Sequence, residues 1–148
     1  MAASPANPNQ TLITLWVVQL ITTVVITGVV LIFFKSVGPI LKSGDSSWPL
    51  YALYVGVALI IPPILYLRNF KEVLDVDREA TRQRGGTPDP AIRAVLTRAL
   101  AVGCTLSDLP QALGVLHLLM GGESRWFLGA CVVTLALKLS YRPFERLR

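Results

Sequence analysis

Charged residues, cysteine and histidine are all scarce in this chain. Only 16% of its 148 residues are charged, and it has two cysteines and one histidine. Both cysteines, Cys104 and Cys131, lie in apolar segments and are interpreted as packing residues, because no second ligand pair has metal-ligand spacing. The sequence also lacks a Ser/His/Asp spacing typical of nucleophilic catalysis and a glycine loop typical of phosphate binding. We therefore expect no enzymatic activity, no metal and no cofactor.

Apolar residues are abundant instead. They make up 53% of the chain, which is typical of a protein embedded in a lipid bilayer. A bilayer core about 30 Å thick needs roughly 20 apolar residues per helix, and four segments are candidates: 11–34, 48–67, 99–120 and 126–141. The sequence thus predicts an all-α integral membrane protein in which residues 1–148 form a single membrane domain. Its four transmembrane helices are expected to form two hairpins.

The positive charges are distributed unevenly along the chain. Seven Lys and Arg residues lie in the connection 68–98, close to the ends of spans two and three, and further arginines follow span four. The opposite side has only Lys35, Lys42 and Arg125. Because Lys and Arg are enriched on the cytoplasmic side, we expect both termini and the connection 68–98 to be cytoplasmic. The net charge of +5 is explained in this way, without a nucleic-acid partner.

Several local signals predict where helices begin, bend and end. Residues 1–10 have the composition of a disordered tail. Pro62, Pro63 and Pro110 lack the backbone N–H that a helix interior needs, so they predict kinks in spans two and three. The connection 68–98 is expected to be a polar helix-loop-helix that ends its first helix at Gly85-Gly86. Asp89 and Pro90 then fit the N-cap and the first residue of the next helix.

One carboxylate, Asp108, interrupts the otherwise uncharged span 99–120. An ionisable group at membrane depth is costly and is by default a candidate functional residue. Thr105 and Gln111 lie three residues away on the same helical face and could orient it, while Gln19 of span one is the candidate partner from another helix. A lone carboxylate in hydrocarbon favours its neutral form unless a cation or water is near. Lys138, in the short fourth span, is expected to extend its ammonium to the membrane interface.

The segment around Asp108 resembles a known family. Residues Gly103-Cys104-Thr105-Leu106-Ser107-Asp108, with Gly114 six positions after the acid, are similar to the ion-carrying helix of the proteolipid (c) subunit of rotary ATP synthases. The resemblance covers about Thr97 to Met120 and implies that Asp108 corresponds to the carboxylate that binds a proton or sodium. That family also has a first helix with repeated glycines, whereas span one here has only Gly28.

Three functions are compatible with these features. The first is a non-enzymatic subunit or accessory factor of a larger membrane complex, with the bilayer and a membrane protein partner or further copies of the chain as its environment. The second is a proteolipid-like proton or cation carrier that uses Asp108. The third is a small four-helix transporter. In the multidrug-resistance family of that size the key glutamate lies in the first helix, whereas span one here has no acid. We expect the first.

Overall fold

The structure, a computed structural model, describes residues 8–38, 40 and 47–143. Within these residues the chain forms six helical segments and no strand. The segments are α1 (Pro8–Val37), α2 (Trp48–Ala58), α3 (Ile61–Gln83), α4 (Pro90–Ser107), α5 (Leu109–Leu119) and α6 (Ser124–Ser140). Because α2 continues into α3 and α4 into α5, the segments make four long helices, as the sequence predicts.

Three of these helices are long and apolar enough to cross a membrane: Gln10–Val37, Trp48–Gln83 and Pro90–Leu119. The predicted fourth span corresponds to α6, which has 17 residues. Helix α1 begins at Pro8, so residues 8–10, which the sequence assigns to a disordered tail, are helical. Pro8 has no backbone N–H to leave unpaired and suits the first turn of a helix. The remainder of the predicted tail, 1–7, lies outside the described residues.

Both bent helices break where the sequence places their prolines. The break between α2 and α3 falls at Leu59 and Ile60, immediately before Pro62 and Pro63 in the first turn of α3. Their i−4 carbonyls lie in the last turn of α2 and beyond it, so the helical hydrogen-bond pattern cannot run through this point. The break between α4 and α5 falls at Asp108, two residues before Pro110. The long helices are thus interrupted at two places, one beside Pro62 and Pro63 and one beside Pro110.

The polar connection forms the predicted helix-loop-helix. Helix α3 ends before Gly85 and Gly86, which adopt φ values of 66° and 93°, a region that glycine occupies without strain. Helix α4 begins after Asp89, whose carboxylate accepts a hydrogen bond from the Ala91 N–H at 2.9 Å and therefore caps the helix. A buried Asp77–Arg93 ion pair of 3.3 Å links the two arms.

The helices pack around α4 and α5. Helix α4 packs against α3, α5 against α2 and α6, and α1 against α6 and α4. At one end, Leu12, Phe70, Leu96, Leu100 and Tyr141 form a core in which each side chain is almost fully buried. The hydroxyl of Tyr141 donates a hydrogen bond to the Pro63 carbonyl, so this residue ties the end of α6 to the start of α3. Most apolar side chains of α1 remain on the outside.

Candidate functional site

Asp108 lies at the break between α4 and α5. Its backbone N–H donates to the Thr105 carbonyl at 3.1 Å, and its own carbonyl accepts from the Ala112 N–H at 3.0 Å. The carboxylate makes no capping hydrogen bond to α5. Because the backbone is satisfied by its neighbours and the side chain is not used as a cap, the carboxylate is free to reach another helix.

The carboxylate is paired with Lys138 of α6. Lys138 Nζ lies 2.7 Å from Asp108 Oδ1, and the Lys138 side chain is only 1% exposed. The prediction that this ammonium extends to the interface is therefore wrong. The physical reason is that α1 and Asp108 together surround it with oxygen atoms, so the ammonium is solvated by the protein.

Helix α1 supplies the other oxygens around the ammonium. Lys138 Nζ donates to Thr23 Oγ1 at 2.8 Å, and it lies 3.2 Å from both the backbone oxygen and Oε1 of Gln19. With Asp108 Oδ1, four oxygen atoms from two helices therefore lie within 3.2 Å of the cation. The backbone of Lys138 is also held, because its carbonyl accepts a hydrogen bond from Trp16 Nε1 at 2.9 Å.

A second polar group continues this cluster along α1. Gln111 Nε2 donates to Thr27 Oγ1 at 3.1 Å and to the Thr23 carbonyl at 3.3 Å. The hydroxyls of Thr23 and Thr27 donate in turn to carbonyls one turn earlier in their own helix, at 3.0 and 2.8 Å. Nearby on α6, the hydroxyl of the fully buried Thr134 has no partner in the described part of the chain. The interior between α1, α5 and α6 is thus polar over about two helical turns.

The structure joins some of the expected site residues and separates others. Gln19 is linked to Asp108, as expected of a partner from another helix, but the link runs through Lys138. Thr105 does not orient the carboxylate, since its exposed hydroxyl donates to the Ala101 carbonyl at 2.9 Å. Gln111 bonds α1 instead of Asp108. The i, i+3 rule that grouped these residues assumes a continuous helix, and this helix breaks at the acid itself.

Lys138 is the central residue that the sequence reasoning missed. The signal was present, because span 99–120 carries one anionic residue and span 126–141 carries one cationic residue. Two opposite charges on consecutive helices of a hairpin can neutralise each other, and intramembrane ionisable residues usually pair. A lysine near a helix end can also extend its ammonium to the membrane interface, so the position of Lys138 alone does not indicate its pairing with Asp108.

Geometry limits the chemistry that this cluster can perform. No group of three or more His, Cys, Asp or Glu side chains that could hold a metal occurs among the residues that the structure describes. The position beside Asp108 that a bound cation would take is filled by the chain's own ammonium. What the arrangement does physically is connect three helices through one charged centre: α1, the α4–α5 junction and α6.

The fold and the site define an all-helical protein with three helices suited to crossing a membrane and an ion pair between helices in which the lysine is buried. No protein-family model matches the chain, and the comparisons with curated proteins and with solved structures give no match either.

Proposed function

We propose that this chain is a membrane protein with four crossings that serves as a non-enzymatic subunit or accessory factor of a larger membrane assembly. Both termini and the connection 68–98 are cytoplasmic in this proposal, which rests on the distribution of Lys and Arg. Helix α6 is the fourth crossing. Its 17 residues span about 26 Å at a rise of about 1.5 Å per residue, a little less than the roughly 30 Å core, so the bilayer thins or the flanking residues compensate.

The observation that carries the proposal is the occupied centre beside Asp108. A cation carrier needs a site that a mobile cation can enter and leave, whereas here Lys138 holds its own ammonium among four oxygens at 2.7 to 3.2 Å. A tethered cation neutralises the acid permanently and fixes the relative position of three helices. This arrangement supports a structural role in the membrane over transport of metal cations.

A subunit role is also supported by the outer surface of the same site. The Asp108 side chain is 41% exposed, although a carboxylate in contact with lipid is costly. A neighbouring polypeptide that covers this position would remove that cost.

Two measurements on the full chain test the proposal. In proteoliposomes that enclose a pH-sensitive dye or, in parallel, a sodium-sensitive dye, the wild-type protein is expected to give no proton or sodium flux above that of protein-free liposomes. After mild detergent extraction from the membranes of the cells that produce it, native mass measurement is expected to give a particle heavier than the 16.1 kDa chain with its bound detergent. A flux that disappears in Asp108→Asn, or a particle of a single chain, would overturn the proposal.

A second candidate function is proton transfer at Asp108. The 41% exposure of its side chain favours it, because a proton could arrive from outside while Lys138 remains behind the carboxylate. The discriminating variant is Lys138→Gln, which keeps a hydrogen-bond donor but removes the charge. A proton carrier would show a flux that changes in this variant and is lost in Asp108→Asn, whereas an accessory subunit shows flux in neither.

A further inference from the structure

The level of Asp108 in the structure can be read from its contacts with α1. Lys138 bonds Asp108 on one side and both Gln19 and Thr23 on the other, so these residues of α1 lie at the height of the acid. Thr27, one turn further along α1, bonds Gln111 in the same way. Helix α1 and the α4–α5 helix therefore keep a common register along this stretch.

Thr22 lies at this same height but on a different, outward face of α1. Consecutive residues of a helix are turned by about 100°, and while Thr23 is 1% exposed, Thr22 is exposed. Its neighbours on that face, Val18, Ile21 and Val25, are exposed and apolar. Within the described residues the Thr22 hydroxyl has no hydrogen bond, so a donor is presented to the outside at the depth of the acid.

Asp108 presents the matching acceptor. One of its carboxylate oxygens bonds Lys138, and the other has no partner in the part of the chain that the structure describes. The exposed residues one turn before and after it, Thr105 and Ala112, are small, which allows another helix to approach closely. The chain thus carries one unpaired donor and one unpaired acceptor at the same height on two different faces.

We propose that a second copy of this chain docks on Asp108, with the Thr22 hydroxyl of one copy donating a hydrogen bond to the free carboxylate oxygen of the next. This inference rests on the proposed function and names the chain itself as the partner in the assembly. Two copies with the same orientation in one bilayer bring Thr22 and Asp108 to equal depth without any shift. Because the donor and acceptor faces differ, the contact is head-to-tail and each copy uses both faces.

Cysteine cross-linking in membranes tests the geometry. Because α1 and α4–α5 run in the same direction in neighbouring copies, Ile26, one turn after Thr22, should face Ala112, one turn after Asp108. The double variant Ile26→Cys/Ala112→Cys is expected to give an oxidation ladder of dimers, trimers and larger species. The wild-type chain is the control, since Cys104 and Cys131 are buried and should not cross-link.

Four further variants separate this contact from alternatives. Ile26→Cys/Leu65→Cys, which pairs α1 with an exposed residue of α3, should give no ladder. In the Ile26→Cys/Ala112→Cys background, Thr22→Val should weaken the ladder by about 3- to 20-fold, the factor expected for loss of one hydrogen bond between membrane helices. Valine has the shape of threonine without the hydroxyl, and Thr22→Ser should retain the ladder. Dimers from Ile26→Cys alone would indicate two α1 helices facing each other and would overturn the proposal, as would a ladder unaffected by Thr22→Val.

Native mass measurement distinguishes failure of this inference from failure of the proposed function. Particles whose mass is a multiple of the chain, and which are less abundant in Thr22→Val, support both. A heavier particle that contains a different polypeptide, without a ladder, leaves the proposed function standing and overturns the second copy as the partner. A particle of one chain overturns both.

Discussion

Replacing Lys138 by methionine tests whether the ion pair of the buried Lys138 with Asp108 holds the helices together. Methionine has nearly the volume of the lysine stem, so the change removes the charge and the hydrogen bonds with little loss of packing. Hydrogen bonds between membrane helices contribute about 0.6 kcal/mol on average and at most about 1.7 kcal/mol. Counting two average bonds, to Thr23 and Gln19, and one strong bond to Asp108 gives a loss of about 3 kcal/mol.

The environment of Asp108 limits this cost. Removing one partner of a buried pair costs about 3–5 kcal/mol when the other charge is left uncompensated. Because the Asp108 side chain is 41% exposed and can bind a proton, we expect the lower end of that range. The double variant Lys138→Met/Asp108→Leu removes both charges and should recover part of the loss, with a coupling energy of about 1–2 kcal/mol.

The assay is reversible unfolding by a denaturing detergent titrated into bicelles, followed by tryptophan fluorescence. Trp16 bonds the Lys138 carbonyl and so reports directly on the site. Lys35→Met, at an exposed position near the end of α1, is the matched control and should change the free energy of unfolding by less than about 0.5 kcal/mol. If Lys138→Met lowers the free energy of unfolding by less than about 1 kcal/mol, or if the effects in the double variant are strictly additive, the ion pair does not hold the helices together.

Three further predictions concern packing, the cation position and topology. Gly103→Ala should destabilise the protein by about 1–3 kcal/mol in the same assay, because a Cβ there would overlap the ring of Tyr141. Gly28→Ala, whose Cβ meets no neighbour, should not destabilise it. Equal effects of the two variants would contradict this prediction. Lys138→Ala should regain stability on addition of methylammonium but not of an uncharged additive of similar size. With a membrane-impermeant maleimide, Thr87→Cys should be labelled only from the cytoplasmic side and Ser124→Cys only from the opposite side; labelling of both from one side would contradict the topology.

The helix boundaries could be predicted from sequence because they depend on local chemistry. Pro62 and Pro63 lack the donor that a helix interior requires, and Gly85 takes a positive φ that other residues avoid. Asp89 caps α4 through a contact only two residues away. Such signals act within a few positions, so no knowledge of the tertiary arrangement was needed.

The composition of the site could be predicted only in part. Asp108 and Gln19 can be identified from sequence, because a polar group at membrane depth is costly on any face of its helix. Their actual connection through Lys138 depends on how α6 packs against α1, which no local pattern encodes. Thr105 was misjudged because a threonine hydroxyl in a helix can be satisfied by its own backbone, as it is here. Long-range packing decides which polar groups meet.

The infrared spectrum of the Asp108 carboxyl group in lipid nanodiscs at neutral pH tests directly whether Asp108 and Lys138 form an ion pair. The Asp108 band is isolated as the difference between the wild-type protein and Asp108→Asn. We expect the band of an ionised carboxylate in the wild type, because Lys138 compensates its charge. In the Lys138→Met background the same difference should show the carbonyl band of a protonated acid. A protonated acid in the wild-type protein would contradict the ion pair and the structural role assigned to it.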